Sequence, residues 1–190
     1  DHLYITSDAE IETLIFDPDH FEERAAELQA QIPTLKNLFS LGPSAVGTDI
    51  LALADQFTEQ RLVAAPVSAE DTSSMVYTGG TTGKPKGVMG SFRSGAALNQ
   101  IQMAEWQWPD QPRFLICTPL SHAGAAFFVP TLLRGGCLYV LPYFEPGLVL
   151  ETIEKHRINA TMLVPTMIYL LLDHPDFDAR DLSSLDTLFY

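Results

Sequence analysis

The chain has 190 residues, of which 46% are hydrophobic and 18% charged, a globular composition with enough length to bury a core. Its formal net charge of −13 excludes general electrostatic binding to nucleic acid or to an anionic membrane surface. Any polyphosphate must therefore be held by a local cluster of donors.

The N-terminal stretch "DHLYITSDAEIE" has neither a basic start nor an apolar run, so it is not a signal peptide. "TLIFD", residues 13–17, reads as a strand. Asp17-Pro18-Asp19 then opens a helix that places Phe21, Ala25, Leu28 and Ile32 on one face and stops at Pro33. "NLFSLG" reads as a second strand, and "TDILALADQF" as a second helix capped by Thr48 or Asp49. Residues 58–71 are small and polar, hence a loop. "PVSAEDTSS", residues 66–74, is the best candidate for a link near residue 66 between a lobe over 1–66 and a lobe over 67–190.

"SSMVYT" is a third strand, a glycine-rich loop follows at once, and "GVMGSF" continues extended. A helix is expected from Ser94 toward Trp108, with Ala97, Ile101, Ala104 and Trp108 on its apolar stripe. "RFLICTP", "CLYVLP", "NATMLVP" and "LDTLFY" read as strands. The helices between them are "HAGAAFFVPTLLRGG", ended by Gly135-Gly136, then "GLVLETIEKHR", and "PTMIYLLLDH", started by Pro165. Strand runs such as "FLIC" and "LYVL" are apolar without alternation, as in parallel strands buried on both faces. The expected fold is α/β, a layered α/β/α arrangement with mostly parallel sheets.

Cys117 and Cys137 both sit inside apolar runs and are expected to be buried, reduced thiols of a cytoplasmic protein. The longest apolar stretch, around "AGAAFFVPTLL", is too short to span a bilayer and contains Pro130. The abrupt start and the terminal strand at Tyr190 predict a fragment of a longer protein.

The loop in "MVYTGGTTGKPKGV", residues 75–88, carries most of the chemistry. Glycine permits positive φ and close backbone approach to a ligand, and successive amides in such turns form an anion nest. Thr78, Thr81 and Thr82 add hydroxyls, Pro85 stiffens the chain, and Lys86 adds a charge. Such a set suits nucleotide phosphates, although glycine- and threonine-rich turns are also common surface loops. It is not a Walker A loop, because Gly83-Lys84 is followed by Pro85.

"YTGGTTGKPKGV" closely resembles the phosphate-loop signature of the adenylate-forming superfamily, which includes acyl-CoA synthetases, luciferases and peptide-synthetase adenylation domains. Thr78, Gly80, Thr81, Thr82, Gly83, Pro85, Lys86 and Gly87 match it, while Gly79 replaces the serine many members carry. "CTPLSHAGAAFFVPTLLRGG" is similar to the family segment in which Pro-Leu and His precede a helix ending in Gly-Gly. "LVPTMIYLLL" and "LDTLFY" extend the resemblance, which is strong over residues 74–190 and weak before residue 70.

The resemblance implies an AMP-forming acid–thiol ligase, closest in look to fatty-acyl-CoA ligases. It implies ATP, Mg²⁺ and coenzyme A as cofactors and a carboxylic acid as substrate. Thr78, Gly79, Gly80, Thr81, Thr82, Gly83 and Lys86 would contact the ATP phosphates, with Thr78 also a Mg²⁺ contact. His122 would stand at the wall between acyl group and nucleotide; read alone, it is a helix-capping histidine. Lys84, at the family's variable position, is expected in solvent. Gly124, Ala125, Ala126, Phe127 and Phe128 are either the border of an apolar tunnel or ordinary core. The family's later motifs, including its catalytic lysine and lid domain, lie outside these residues, so no catalytic residue is assigned and the fragment alone is expected to be inactive. The alternatives are an acyl-AMP ligase that loads a carrier protein and a nucleotide-binding module without chemistry.

Overall fold

Asp17 accepts a hydrogen bond from the Asp19 amide at 3.0 Å and Pro18 occupies the first turn, so the chain leaves its first strand directly into a helix. The computed structural model describes residues 1–57, 61–79 and 83–190, and its backbone gathers into two units, Asp1–Gly95 and Ala96–Tyr190.

The first unit opens with α1 (His2–Asp8), which the sequence does not announce because it has no side-chain cap and buries only Thr6. A parallel sheet in the order β1 (Thr13–Phe16), β2 (Asn37–Ser40), β3 (Thr48–Asp49) follows, with α2 (Pro18–Gln31) packed on it. Ala25, Leu28 and Ile32 of the expected stripe are buried with Phe16, Leu35 and Leu38. Phe21 is the exception: it stays exposed, edge-on to the His2 ring. Asp49, not Thr48, caps α3 (Ile50–Ala54), accepting from the amides of Leu51 and Ala52. β4 (Thr72–Thr78) and β5 (Lys86–Ser91) form an antiparallel hairpin, and α4 (Phe92–Glu105) leaves β5 directly.

The second unit is built on a four-stranded parallel sheet, β6 (Arg113–Ile116), β7 (Cys137–Val140), β8 (Ala160–Met162) and β9 (Thr187–Phe189), in spatial order β7-β6-β8-β9. The order reverses at β6, because the first crossover runs to β7 and the next returns past β6 to β8. Successive residues of β6 serve opposite faces. Phe114 and Ile116 pack with Phe127, Trp108 and Ala160, while Leu115 and Cys117 pack with Val149, Leu150, Ile153 and Leu171. The second group belongs to α6 (Pro146–His156) and α7 (Pro165–Leu172). Both faces are thus covered, and the α/β fold with mostly parallel sheets is as the apolar strand runs predict.

Three expectations change. The helix expected after His122 is a short 3₁₀-helix, Ala123–Phe127, followed by α5 (Phe128–Leu133). Pro130 lies in the first turn of α5, where its missing amide breaks no helical bond. Gly135, at φ +68°, and Gly136 then turn the chain, and a Cβ on Gly136 would come within 2.3 Å of the Pro112 carbonyl oxygen.

In α4 the expected stripe is not the buried one. Ile101 is 54% exposed, whereas Gln102 is 1% exposed. The helix ends before Trp108, whose indole N–H folds back to donate to the Gln102 carbonyl at 3.0 Å, and Arg134 donates to the Met103 carbonyl. Both bonds anchor the end of the helix, and Trp108, alone of the expected stripe, is buried, in the cluster with Phe114 and Phe127. Cys117 is buried, and burial pushes its thiol up to about 11. Cys137 is exposed instead, because it begins β7, the edge strand.

Candidate functional site: the phosphate-loop hairpin and an aromatic cleft

The glycine-rich loop joins two antiparallel strands, so it is the tip of a hairpin and not a strand-to-helix turn. It still begins at the carboxyl end of a strand. Thr78 and Lys86 are the register pair that closes the loop, and residues directly opposite in an antiparallel pair project from the same face. One hydroxyl and one ammonium therefore flank the loop mouth. Both residues are exposed, and no acidic side chain among the described residues forms an ion pair with Lys86.

A Cβ built on Gly79 or on Gly83 meets no atom of the described residues within 4 Å. Gly83 is at φ +152°, inside the range that favours glycine. Gly80, Thr81 and Thr82 lie outside the described residues. The structure thus brings Thr78, Gly79, Gly83 and Lys86 to one end of one hairpin.

A polar brace lies at the base of the loop. The Tyr77 hydroxyl donates to Asp8 Oδ2 of α1 at 2.6 Å. That bond, with partial burial second, pushes the Tyr77 phenol up to about 12. The Tyr4 ring meets Tyr77 edge to face, with centroids 6.4 Å apart. Desolvation, then the Asp8 charge, raises the Tyr4 phenol as well. Lys84, expected in solvent, is exposed at its stem but holds its ammonium 5.1 Å from the centre of the Tyr4 ring. Sequence reasoning missed Tyr4 and Asp8, since nothing in "DHLYITSDAE" carries a motif. Only the spacing of four between them, which puts both on one face of a helix, was available as a signal.

His122 belongs to the second unit. It is exposed, its amide donates to the Pro119 carbonyl at 3.1 Å, and its side chain caps nothing, so the simple capping role is not the one it plays. The 3₁₀-helix that follows borders an open apolar cleft of about 640 Å³. Of the five residues expected there, Ala126 and Phe127 line it. Gly124 does not: it is buried in contact with the β6 end, where a Cβ would come within 2.9 Å of Ile116 Cγ2 and of the Thr118 carbonyl oxygen. Trp106, Met162 and Phe189 supply other walls. Phe127 stacks on Phe114 at 4.8 Å, and Trp106 and Phe189 each lie within 6 Å of Phe127. The cleft runs beside the strands next to the β6–β8 reversal, where open α/β sheets gather ligands.

Among the described residues there is no group of three or more His, Cys, Asp or Glu side chains that could hold a metal ion. No helix among them is long and apolar enough to cross a membrane.

A hydroxyl- and glycine-rich hairpin, together with a doubly covered parallel sheet bordered by an aromatic cleft, defines a portion of the N-terminal domain of adenylate-forming enzymes. The model of one family, described as AMP-binding enzyme, matches residues 1–190, and the chain belongs to that family. It is 52% identical over 196 residues to the medium/long-chain-fatty-acid–CoA ligase FadD8 of Mycobacterium tuberculosis, covering 100% of this chain and 34% of that protein. It is 38% identical over 126 residues to a feruloyl-CoA synthase of Amycolatopsis, covering 65% of this chain and 26% of that one.

Among solved structures, the amide bond synthetase McbA of Marinactinospora thermotolerans superposes with a TM-score of 0.85 at 33% identity, over 98% of this chain and 36% of that one. The N-terminal domain of FACL13 from Mycobacterium tuberculosis, at 24% identity, shares the fold with a TM-score of 0.82 over 97% of this chain and 45% of that one. The chain spans about a third or less of the length of these two curated relatives.

Proposed function

We propose that this chain is the phosphate-loop and acyl-binding portion of an ATP-dependent carboxylic acid–CoA ligase acting on fatty acids. The observation that carries the reading is the pairing of Thr78 with Lys86 at the two ends of the glycine-rich loop, in a chain whose overall charge repels polyphosphates. The lobes over 1–66 and 67–190, and a lid domain beyond them, belong to the same proposal, as does a cytoplasmic location.

In this reading the amides of 79–83, the hydroxyls of Thr78, Thr81 and Thr82 and the Lys86 ammonium grip the β- and γ-phosphates of ATP. The substrate carboxylate attacks the α-phosphorus. The acyl-oxygen-to-phosphorus bond forms as the bond to pyrophosphate breaks, and the departing oxygens take the electron pair. Fixed donors stabilise that growing charge without reorganising. Mg²⁺, when bound, supplies further charge neutralisation; the described residues fit it only through the Thr78 hydroxyl. The coenzyme A thiol then attacks the acyl carbon, and AMP leaves with its oxygen. His122 stands at the wall between acyl group and nucleotide.

An open cleft with aromatic and methionine walls suits an apolar acyl chain. The fatty-acid assignment also rests on the likeness to a relative named as a medium/long-chain-fatty-acid ligase. Pyrophosphate release by the full-length protein with ATP, coenzyme A and a panel of acids tests the reading. Release that requires a fatty acid and yields its CoA thioester supports it. Thioester formed only on a carrier protein moves the assignment to an acyl-AMP ligase, and no release with any acid rejects the ligase chemistry.

A further inference from the structure

Both arms of the phosphate-loop hairpin touch α1. On the β4 side, Tyr77 immediately precedes Thr78 and its hydroxyl reaches Asp8 at 2.6 Å. On the β5 side, Lys84 lies two residues before Lys86 and its ammonium stands 5.1 Å from the Tyr4 ring centre. Tyr4 and Asp8 are four apart on one helix face, and the Tyr4 and Tyr77 rings meet edge to face at 85°. Four side chains, two from α1, one from β4 and Lys84 from the loop, thus form one cluster at the foot of the loop. Among the described residues of this chain, every residue of β4 except Tyr77 is exposed, as are Lys86–Met89 of β5. A two-stranded ribbon with exposed faces is marginal by itself.

We infer that Asp8 and Tyr4 are positioning residues for the phosphate loop: α1 holds Tyr77, the last residue but one of β4, and Lys84, two residues before β5, and so sets the separation of Thr78 and Lys86. This rests on the proposal that the loop holds the triphosphate. The brace acts on ATP and not on the acid. Asp8 and Tyr4 touch no phosphate themselves, so their loss leaves the donors present but free to spread. A misplaced donor set loses much of its effect on a developing charge.

The test is acid-dependent ATP–pyrophosphate exchange by the full-length enzyme, unsubstituted and carrying Asp8→Asn, Tyr77→Phe, both together, Tyr4→Ala and Tyr4→Phe. Each of Asp8→Asn and Tyr77→Phe should raise KM for ATP about fivefold, the net effect of one hydrogen bond, while KM for the acid stays within about twofold. The double variant should be no worse than the poorer single one. Tyr4→Ala should raise KM for ATP by a similar factor, and Tyr4→Phe, which keeps the ring, should restore it. Independent, additive effects of Asp8→Asn and Tyr77→Phe would overturn the brace. Equal rises in both KM values would also overturn it, because a merely structural role predicts them. Absence of exchange in the unsubstituted enzyme would reject the adenylating reading, and the brace with it; normal exchange with additive variants rejects the brace alone.

Discussion

Lys86 carries a charge whose loss nothing in the described residues compensates. Removing it in the whole enzyme, as Lys86→Ala, should cost about tenfold to a hundredfold in KM for ATP, the range expected of a bond between charged partners. KM for the acid should hold steady, since the proposed contacts of Lys86 are with the β- and γ-phosphates and not with the carboxylate. Steady-state kinetics with each substrate varied in turn reads both. Tyr77 makes a different prediction. Its phenol is raised above its ordinary value of 10.0, so the neutral form is favoured in the folded state. Its contribution is fully present below about pH 10 and is lost as pH rises through about 12. Spectrophotometric titration of tyrosinate should show Tyr77 among the phenols that titrate late, and Asp8→Asn should move its titration to lower pH. An unchanged late phenol in Asp8→Asn would contradict the assigned cause.

At the scale of elements, packing around glycines and caps decides the effects. Gly136→Ala should destabilise the chain by about 1–3 kcal/mol, because its Cβ would meet the Pro112 carbonyl and that backbone would have to shift. Asp49→Ala should cost about 1 kcal/mol through the lost cap of α3. Denaturant unfolding measures both. Glu154 of α6 accepts from the Asp181 amide at 3.0 Å and from Arg180 at 2.9 Å, and these bonds hold its carboxyl below the ordinary 4.5. Its contribution is therefore present above that value and is lost as pH falls through the depressed one. Glu154→Gln should flatten the acid limb of the stability profile.

The elements most legible in the sequence were those set by short, strong signals. β6 and β8 announce themselves as unbroken apolar runs, and α2, α6 and α7 by proline at their first turn. What escaped was decided by tertiary contact. α1 has no cap, β3 is two residues long and exists through its pairing with β2, and α4 ends before Trp108, whose indole folds back on its last turn. Cys137 looked buried because apolar neighbours do not reveal which strand of a sheet lies at its edge.

On the scale of the whole molecule, each unit carries its own candidate feature. The phosphate loop belongs to Asp1–Gly95, and His122 and the aromatic cleft belong to Ala96–Tyr190. The glycine-rich motif and the helix-leading histidine were both visible in the sequence as chemistry-bearing groups. The cleft walls at Trp106 and Met162 were not, because they come together only through the reversal of strand order at β6. The central claim is that the hairpin holds a triphosphate, and equilibrium binding tests it without requiring turnover. Calorimetric titration of ATP into the full-length enzyme, compared with its Thr78→Ala and Lys86→Ala variants, should show saturable binding that weakens about tenfold or more in each. ATP bound equally well by all three proteins would contradict the account.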